Sequence, residues 1–172
     1  MYSSSPCQAA TGRANDHLVP HDLCAIFRDQ LDHLYTLALL LTADHKKAEQ
    51  CFLRGLEDCL LGKPIFREWT QAWTRRAIIS SAIRMVSPTA ASTPQTAQSK
   101  TPKWQLKPET GSPVGAITQL EPFERFVYVI SVLEGYSADE CSILLGCPPA
   151  VVSDARTHAL QQMADILNRE PA

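Results

Sequence analysis

The sequence predicts an all-α protein: two small helical domains joined by a flexible linker, the C-terminal one a helix-turn-helix. Three observations lead there. Apolar residues recur at helical spacing on either side of residues 87–116. That middle stretch holds Pro88, Pro94, Pro102, Pro108 and Pro113 among Ser, Thr, Ala and Gln, with no apolar period, a composition that buries too little surface to fold alone. Residues 137–149 carry the signals that start, stop and restart a helix. A chain of 172 residues suits this division, each helical part being large enough for a small core. Residues 1–20 read as a disordered tail, 21–86 as the first domain and 117–168 as the second.

In the first domain, Asp22–Leu41 reads as a helix with Leu31, Leu34, Tyr35, Ala38 and Leu41 along one face. A turn at Thr42-Ala43-Asp44 follows, with Asp44 suited to cap the next helix. Ala48, Cys51, Phe52, Leu56, Cys59 and Leu60 form the inner stripe of that helix. Gly62-Lys63-Pro64 breaks the chain, and Arg67–Val86 reads as a third helix. It is the most basic element, with Arg67, Arg75, Arg76 and Arg84 around Trp69 and Trp73. Two readings stay open for it. The tryptophans pack inward and the arginines form the wet face, or the arginines and rings together meet unstacked bases.

In the second domain, Pro122 suits a first helical turn because its missing N–H costs nothing there. Phe126, Val127, Val129, Ile130 and Leu133 build one apolar face, and Gly135 ends the helix. Ser137-Ala138-Asp139-Glu140 is a capping box for a helix that buries Cys141, Leu144 and Leu145 and stops at Gly146. After Cys147-Pro148-Pro149 the last helix turns Val152, Ala155, Ala159 and Met163 inward. Two helices joined by a Gly-containing turn fit the layout that lays a helix in the DNA major groove. A plain two-helix hairpin in a bundle fits the spacing equally.

The run 120–163 resembles region 4 of the extracytoplasmic-function sigma factors, matching without a gap at Leu120, Pro122, Glu124, Arg125, Val127, Val129, Glu134, Gly135, Ser137, Glu140, Leu144, Leu145, Gly146, Cys147, Val152 and Ala159. LYTLALLLTADHKKAEQCFLRGL, with Phe66-Arg67-Glu68-Trp69 and Thr74-Arg75-Arg76, is similar to region 2 of the same family. The resemblance covers roughly residues 22–86 and 117–168 and implies a transcription initiation protein. By that likeness Glu49, Gln50, Leu53 and Arg54 would dock on core RNA polymerase. Arg67, Arg75, Arg76 and Arg84 would meet the −10 promoter element. Val151, Ser153, Asp154, Arg156, Thr157 and His158 would approach the −35 element.

The contact positions depart from the family more than the scaffold does. In the last helix the family's Lys is Ser153, its Ser is Asp154, its first Arg is Ala155, and later Arg positions are His158 and Leu160. On the polymerase face the family's second Glu is Arg54, which would turn attraction into repulsion toward an unchanged partner. From Ile117 onward three arginines stand against eight acids, a net charge of −5. Duplex affinity comes largely from Lys and Arg replacing counterions at phosphates, so this segment alone should hold promoter DNA weakly. The alternative is therefore a degenerate sigma-like protein acting through protein contacts, as a decoy for an anti-sigma factor or for polymerase.

Other classes find little support. No nucleophile–base pair, Gly-rich phosphate loop or paired-carboxylate pattern is present, so no enzyme and no cofactor are expected. His17, His21 and Cys24 have the residue types of a zinc site but no evident fourth ligand, so no metal is expected. There is no run of 18 apolar residues and no basic, apolar leader at Met1-Tyr2-Ser3-Ser4-Ser5, and the cysteines are scattered on apolar faces. These features predict a cytoplasmic protein without a membrane partner.

Overall fold

A computed structural model describes residues 25, 27–61, 70–90 and 112–168, and every regular element among them is helical. The all-α expectation therefore holds. In chain order the elements are α1 (Leu31–Thr42), α2 (His45–Leu61), α3 (Thr70–Val86), α4 (Pro113–Gln119) and α5 (Pro122–Tyr128). The last of these runs into a π-helical turn, Val129–Leu133, before α6 (Ala138–Leu145) and α7 (Pro149–Asn168). Among the described residues no helix is long and apolar enough to cross a membrane.

The first three helices pack mutually. Thr42 ends α1, and Ala43 takes a left-handed conformation (φ 52°) that returns its N–H to the Leu39 carbonyl. Asp44 then caps α2 through the Lys47 amide at 3.0 Å, as its side chain suggests. Leu34, Leu37, Ala38, Leu40 and Leu41 of α1 are buried against Ala48, Cys51 and Cys59 of α2 and Ile78, Ile79 and Ala82 of α3. α2 and α3 approach closely because Gly55 has no side chain; a Cβ there would meet Ile78 Cδ1 at 2.5 Å. Leu31, Leu60 and Leu133, expected on inner faces, are instead 46%, 41% and 47% exposed.

In the second set α7 packs along α5 and also touches α4 and α6, burying Val152, Ala155, Ala159 and Met163. Ser137 caps α6 with the full reciprocal box, and Gly146 closes it at φ 66°. Two features were not legible beforehand. α4 starts inside the stretch read as linker: Pro113 opens it, and Gly115, Ala116 and Ile117 are buried. The helix through Val129 also widens into a π turn, with Glu134 N–H donating to Val129 O at 3.0 Å and Tyr136 N–H to Ile130 O at 3.1 Å. Ser131 donates its hydroxyl to Val127 O at 2.7 Å on the same stretch. Side-chain competition for helix carbonyls and crowded β-branched residues both loosen the regular ladder there.

The two sets share one apolar cluster, because α1 packs on α4, α5 and the π turn. Arg125 joins them. Its side chain is buried, and Nε donates to Leu41 O of α1 at 3.3 Å while Nη1 donates to Leu120 O at 3.1 Å and Thr118 O at 3.5 Å. Burial lowers the guanidinium pKa, with Glu121 acting the other way. Replacing Arg125 by Met strands these buried carbonyls. Charged hydrogen bonds of this kind carry about 1.5–3 kcal/mol each in mutational series, so Arg125→Met should lower unfolding free energy by roughly 2–3 kcal/mol in urea titration. A loss no greater than that of an exposed control such as Arg156→Met would refute the bridging role.

Candidate nucleic-acid and polymerase interfaces

Glu49, Gln50, Leu53 and Arg54 fall on one exposed face of α2, opposite the buried Ala48, Cys51 and Cys59. Leu53 is 57% exposed in the middle of that polar face. A single exposed apolar side chain among charged and amide groups is common on protein surfaces and does not by itself mark a contact. The structure brings this group together as the sequence pattern requires.

The arginines of α3 do not form one patch. Arg67 lies outside the described residues, as do Trp69 and the His17, His21 and Cys24 set. Arg84 is exposed and ion-paired with Asp58 of α2. Arg75 and Arg84 are nine positions apart, which is about half a turn around a helix at roughly 100° per residue. Arg75 faces the C-terminal helices and pairs with Glu134 Oε2 at 3.8 Å. Arg76 is exposed beside it. Trp73 is half-buried against the core, so the inward reading of the ring holds in part.

Between α3 and the turn that precedes α6 lies a cleft of about 470 Å³ lined by Trp73, Arg75, Arg76, Glu134, Tyr136 and Glu140. Burial raises the Tyr136 phenol above its ordinary pKa. Glu134 receives a second contact from the other side, His33 Nε2 of α1 at 3.4 Å from Oε1. No local pattern marks this cluster in the sequence, since His33, Arg75 and Glu134 meet only because α1 packs on the π turn and α3 packs on α1.

On α7, Ser153, Asp154, Arg156, Thr157 and His158 are exposed and Val151 is half-buried. Ser153 and Thr157 turn their hydroxyls back to Pro149 O at 3.1 Å and Ser153 O at 3.0 Å. His158 leans toward Glu124 of α5 at 3.7 Å, and Gln162 donates to the same carboxylate at 2.8 Å. Ala155, aligned with an Arg of the sigma family, is buried against the core. A side chain there cannot reach DNA without leaving the packed face. Arg125 is buried and Arg169 lies outside the described residues, so Arg156 is the one exposed base described from residue 117 onward.

Comparison of the chain with protein-family models, with curated proteins and with solved structures returns no match.

The start of α6 carries a titratable prediction. The Ser137 amide donates to Glu140 Oε2 at 2.8 Å and the Ser137 hydroxyl to the same oxygen at 2.8 Å. The backbone bond first, then the hydroxyl bond and the charge of Arg76, hold the Glu140 carboxyl below its usual range. A depressed folded pKa stabilises the fold above the ordinary carboxylate pKa, and that contribution is lost as pH falls through the folded value. The Ser137 amide resonance should therefore titrate at lower pH than that of an unconstrained Glu, and Ser137→Ala should move the Glu140 titration back up. Because Ser137→Ala keeps the amide, the shift back should be partial, and an unchanged titration in this variant would show that the hydroxyl does not help hold the carboxylate.

Proposed function

We propose that this chain is a sigma-factor-like transcription initiation protein that works in the cytoplasm on core RNA polymerase and promoter DNA. The observation that carries this reading is the unit formed by α6, the turn at Gly146–Pro148 and α7. Its inner face is sealed by Val152, Ala155, Ala159 and Met163, and its outer face presents Ser153, Asp154, Arg156 and Thr157 to solvent. That is the arrangement a reading helix needs, with a rigid back and a free front. The exposed group Glu49, Gln50, Leu53 and Arg54 on α2 supports a polymerase contact by the same likeness to region 2.

A second reading is favoured by the charge of the C-terminal helices. With acids in excess and one exposed base described there, α7 lacks the cations that hold a duplex. In this reading the protein keeps the sigma scaffold, recognises promoters weakly or not at all, and acts by contact with polymerase or an anti-sigma factor. Reconstitution with core RNA polymerase and run-off transcription from a promoter library separates the two. Transcripts starting downstream of a shared motif support initiation. Association without transcripts supports a polymerase decoy, and no association contradicts initiation and leaves contact with an anti-sigma factor as the surviving form of the second reading.

The outer face of α7 also gives a gain-of-function test. Ser153→Lys with Asp154→Arg adds cations at exposed positions, unlike a change at Ala155. Each new phosphate contact should steepen the salt dependence of duplex binding by about 0.9 in log–log slope, and affinity at low salt should rise about tenfold. Fluorescence anisotropy of a labelled duplex checks this. An unchanged slope would mean that this face of α7 does not meet the phosphate backbone.

A further inference from the structure

We propose that the cleft lined by Trp73, Arg75, Arg76, Glu134, Tyr136 and Glu140 is an anion-binding site for nucleotide-class ligands, occupied in this state by the protein's own Glu134. Three features of the cleft carry the inference.

The first is an ion pair that is close but incomplete. The Glu134 side chain is 5% exposed, yet its Oε2 makes no hydrogen bond among the described residues and stands 3.8 Å from Arg75 Nη1. Arg75 Nε is buried and also without a hydrogen-bond partner among them. A guanidinium and a carboxylate that fit one another form two parallel bonds near 2.8 Å. The Glu134 carboxylate is desolvated with Oε2 unsatisfied, and on the Arg75 side chain, itself 38% exposed, Nε is buried and unused; both unpaired atoms are costly unless another state uses them better. A phosphate offers more acceptor oxygens than a carboxylate and could engage the unused Nε.

The second feature is the neighbour. Arg76 is exposed on the rim of the same cleft and makes no ion pair among the described residues. Two adjacent guanidiniums outnumber Glu140, the carboxylate that lines the cleft besides Glu134, and so suit an anion once Glu134 is displaced. The third is the remaining lining. Trp73 and Tyr136 are aromatic, and a cleft of about 470 Å³ is of the size that holds a nucleotide-sized ligand. Arginine beside aromatic rings is the surface that bases stack on.

Glu134 sits just after the π turn, and that turn fixes where its carboxylate lies. It is anchored from the far side by His33 at 3.4 Å. The protein thus supplies the first anion itself, and an external one must displace it from Arg75. The site therefore behaves as self-blocked, and neutralising Glu134 should open it. This proposal does not depend on the reading of α7.

The test uses the full chain and two probes at low salt: a fluorescent ATP analogue without metal, and a fluorescein-labelled single-stranded oligothymidylate. Glu134→Gln should tighten binding of at least one probe about tenfold. Tightening of the ATP analogue assigns a free nucleotide, and tightening of the strand alone assigns a nucleic-acid segment. Adding Arg75→Gln to Glu134→Gln should remove the gain. Equal affinity in wild type and Glu134→Gln, no binding by either, or a gain that survives Arg75→Gln overturns the proposal. Circular dichroism checks that Glu134→Gln folds. Should it not, Arg76→Gln changes an exposed side chain and should weaken wild-type binding several-fold, while unchanged affinity overturns the site.

Discussion

A single buried guanidinium sets the geometry on which the rest of this structure depends. Arg125 reaches from α5 to the carbonyl of Leu41 at the end of α1, and it also caps the Thr118 and Leu120 carbonyls of the turn behind α4. A charge is costly to bury, and it is tolerated here because backbone carbonyls surround it. The same group therefore finishes three loose backbone ends and ties the N-terminal helices to the C-terminal ones. The apolar cluster that runs from Leu34 and Leu41 to Phe126 and Ile130 closes around it.

That constraint has an electrostatic consequence. Once Arg125 is committed to the interior, the C-terminal helices keep most of their acids and little exposed positive charge to balance them. It also fixes α1 against the π turn, which brings His33 to Glu134 and, through α3 packed on α1, Arg75 as well. The basic character of α3 is thereby divided. Arg84 serves Asp58 within the first three helices, Arg75 serves Glu134 across the boundary, and Arg76 remains at the rim of the cleft. On the outer face of α2, Glu49, Gln50 and Arg54 stand exposed with Leu53, and Asp58, one turn beyond Arg54, takes the Arg84 ion pair.

Local signals were readable in the sequence, and long-range pairings were not. Asp44 and Ser137 announce their caps because the capping interaction spans only three residues. Gly135 and Gly146 mark helix ends because both adopt positive φ. Inner faces followed from periodicity for Ala48, Cys51, Cys59, Val152, Ala155, Ala159 and Met163. Periodicity misjudged Leu31, Leu60 and Leu133, which stay exposed although their spacing puts them in line with inner positions. The π turn escaped notice because a one-residue widening leaves the apolar pattern almost unchanged. α4 escaped because its seven residues are too few for a period to emerge from a Pro-rich stretch. Arg125 counted among the bases of its segment although it is buried, and only the contact with Leu41, 84 positions away in sequence, reveals its role. Family likeness pointed to Ala155 as a contact position, whereas its own helical phase puts it inside.

The central functional claim is that the outer face of α2 meets RNA polymerase, and photo-crosslinking tests it most directly. A photoreactive amino acid in place of Leu53 should crosslink to a subunit of purified core RNA polymerase, and one in place of Ile143, exposed on α6, should do so far less. Absence of any Leu53 crosslink under conditions where the protein is folded, or equal labelling from both positions, would contradict the account.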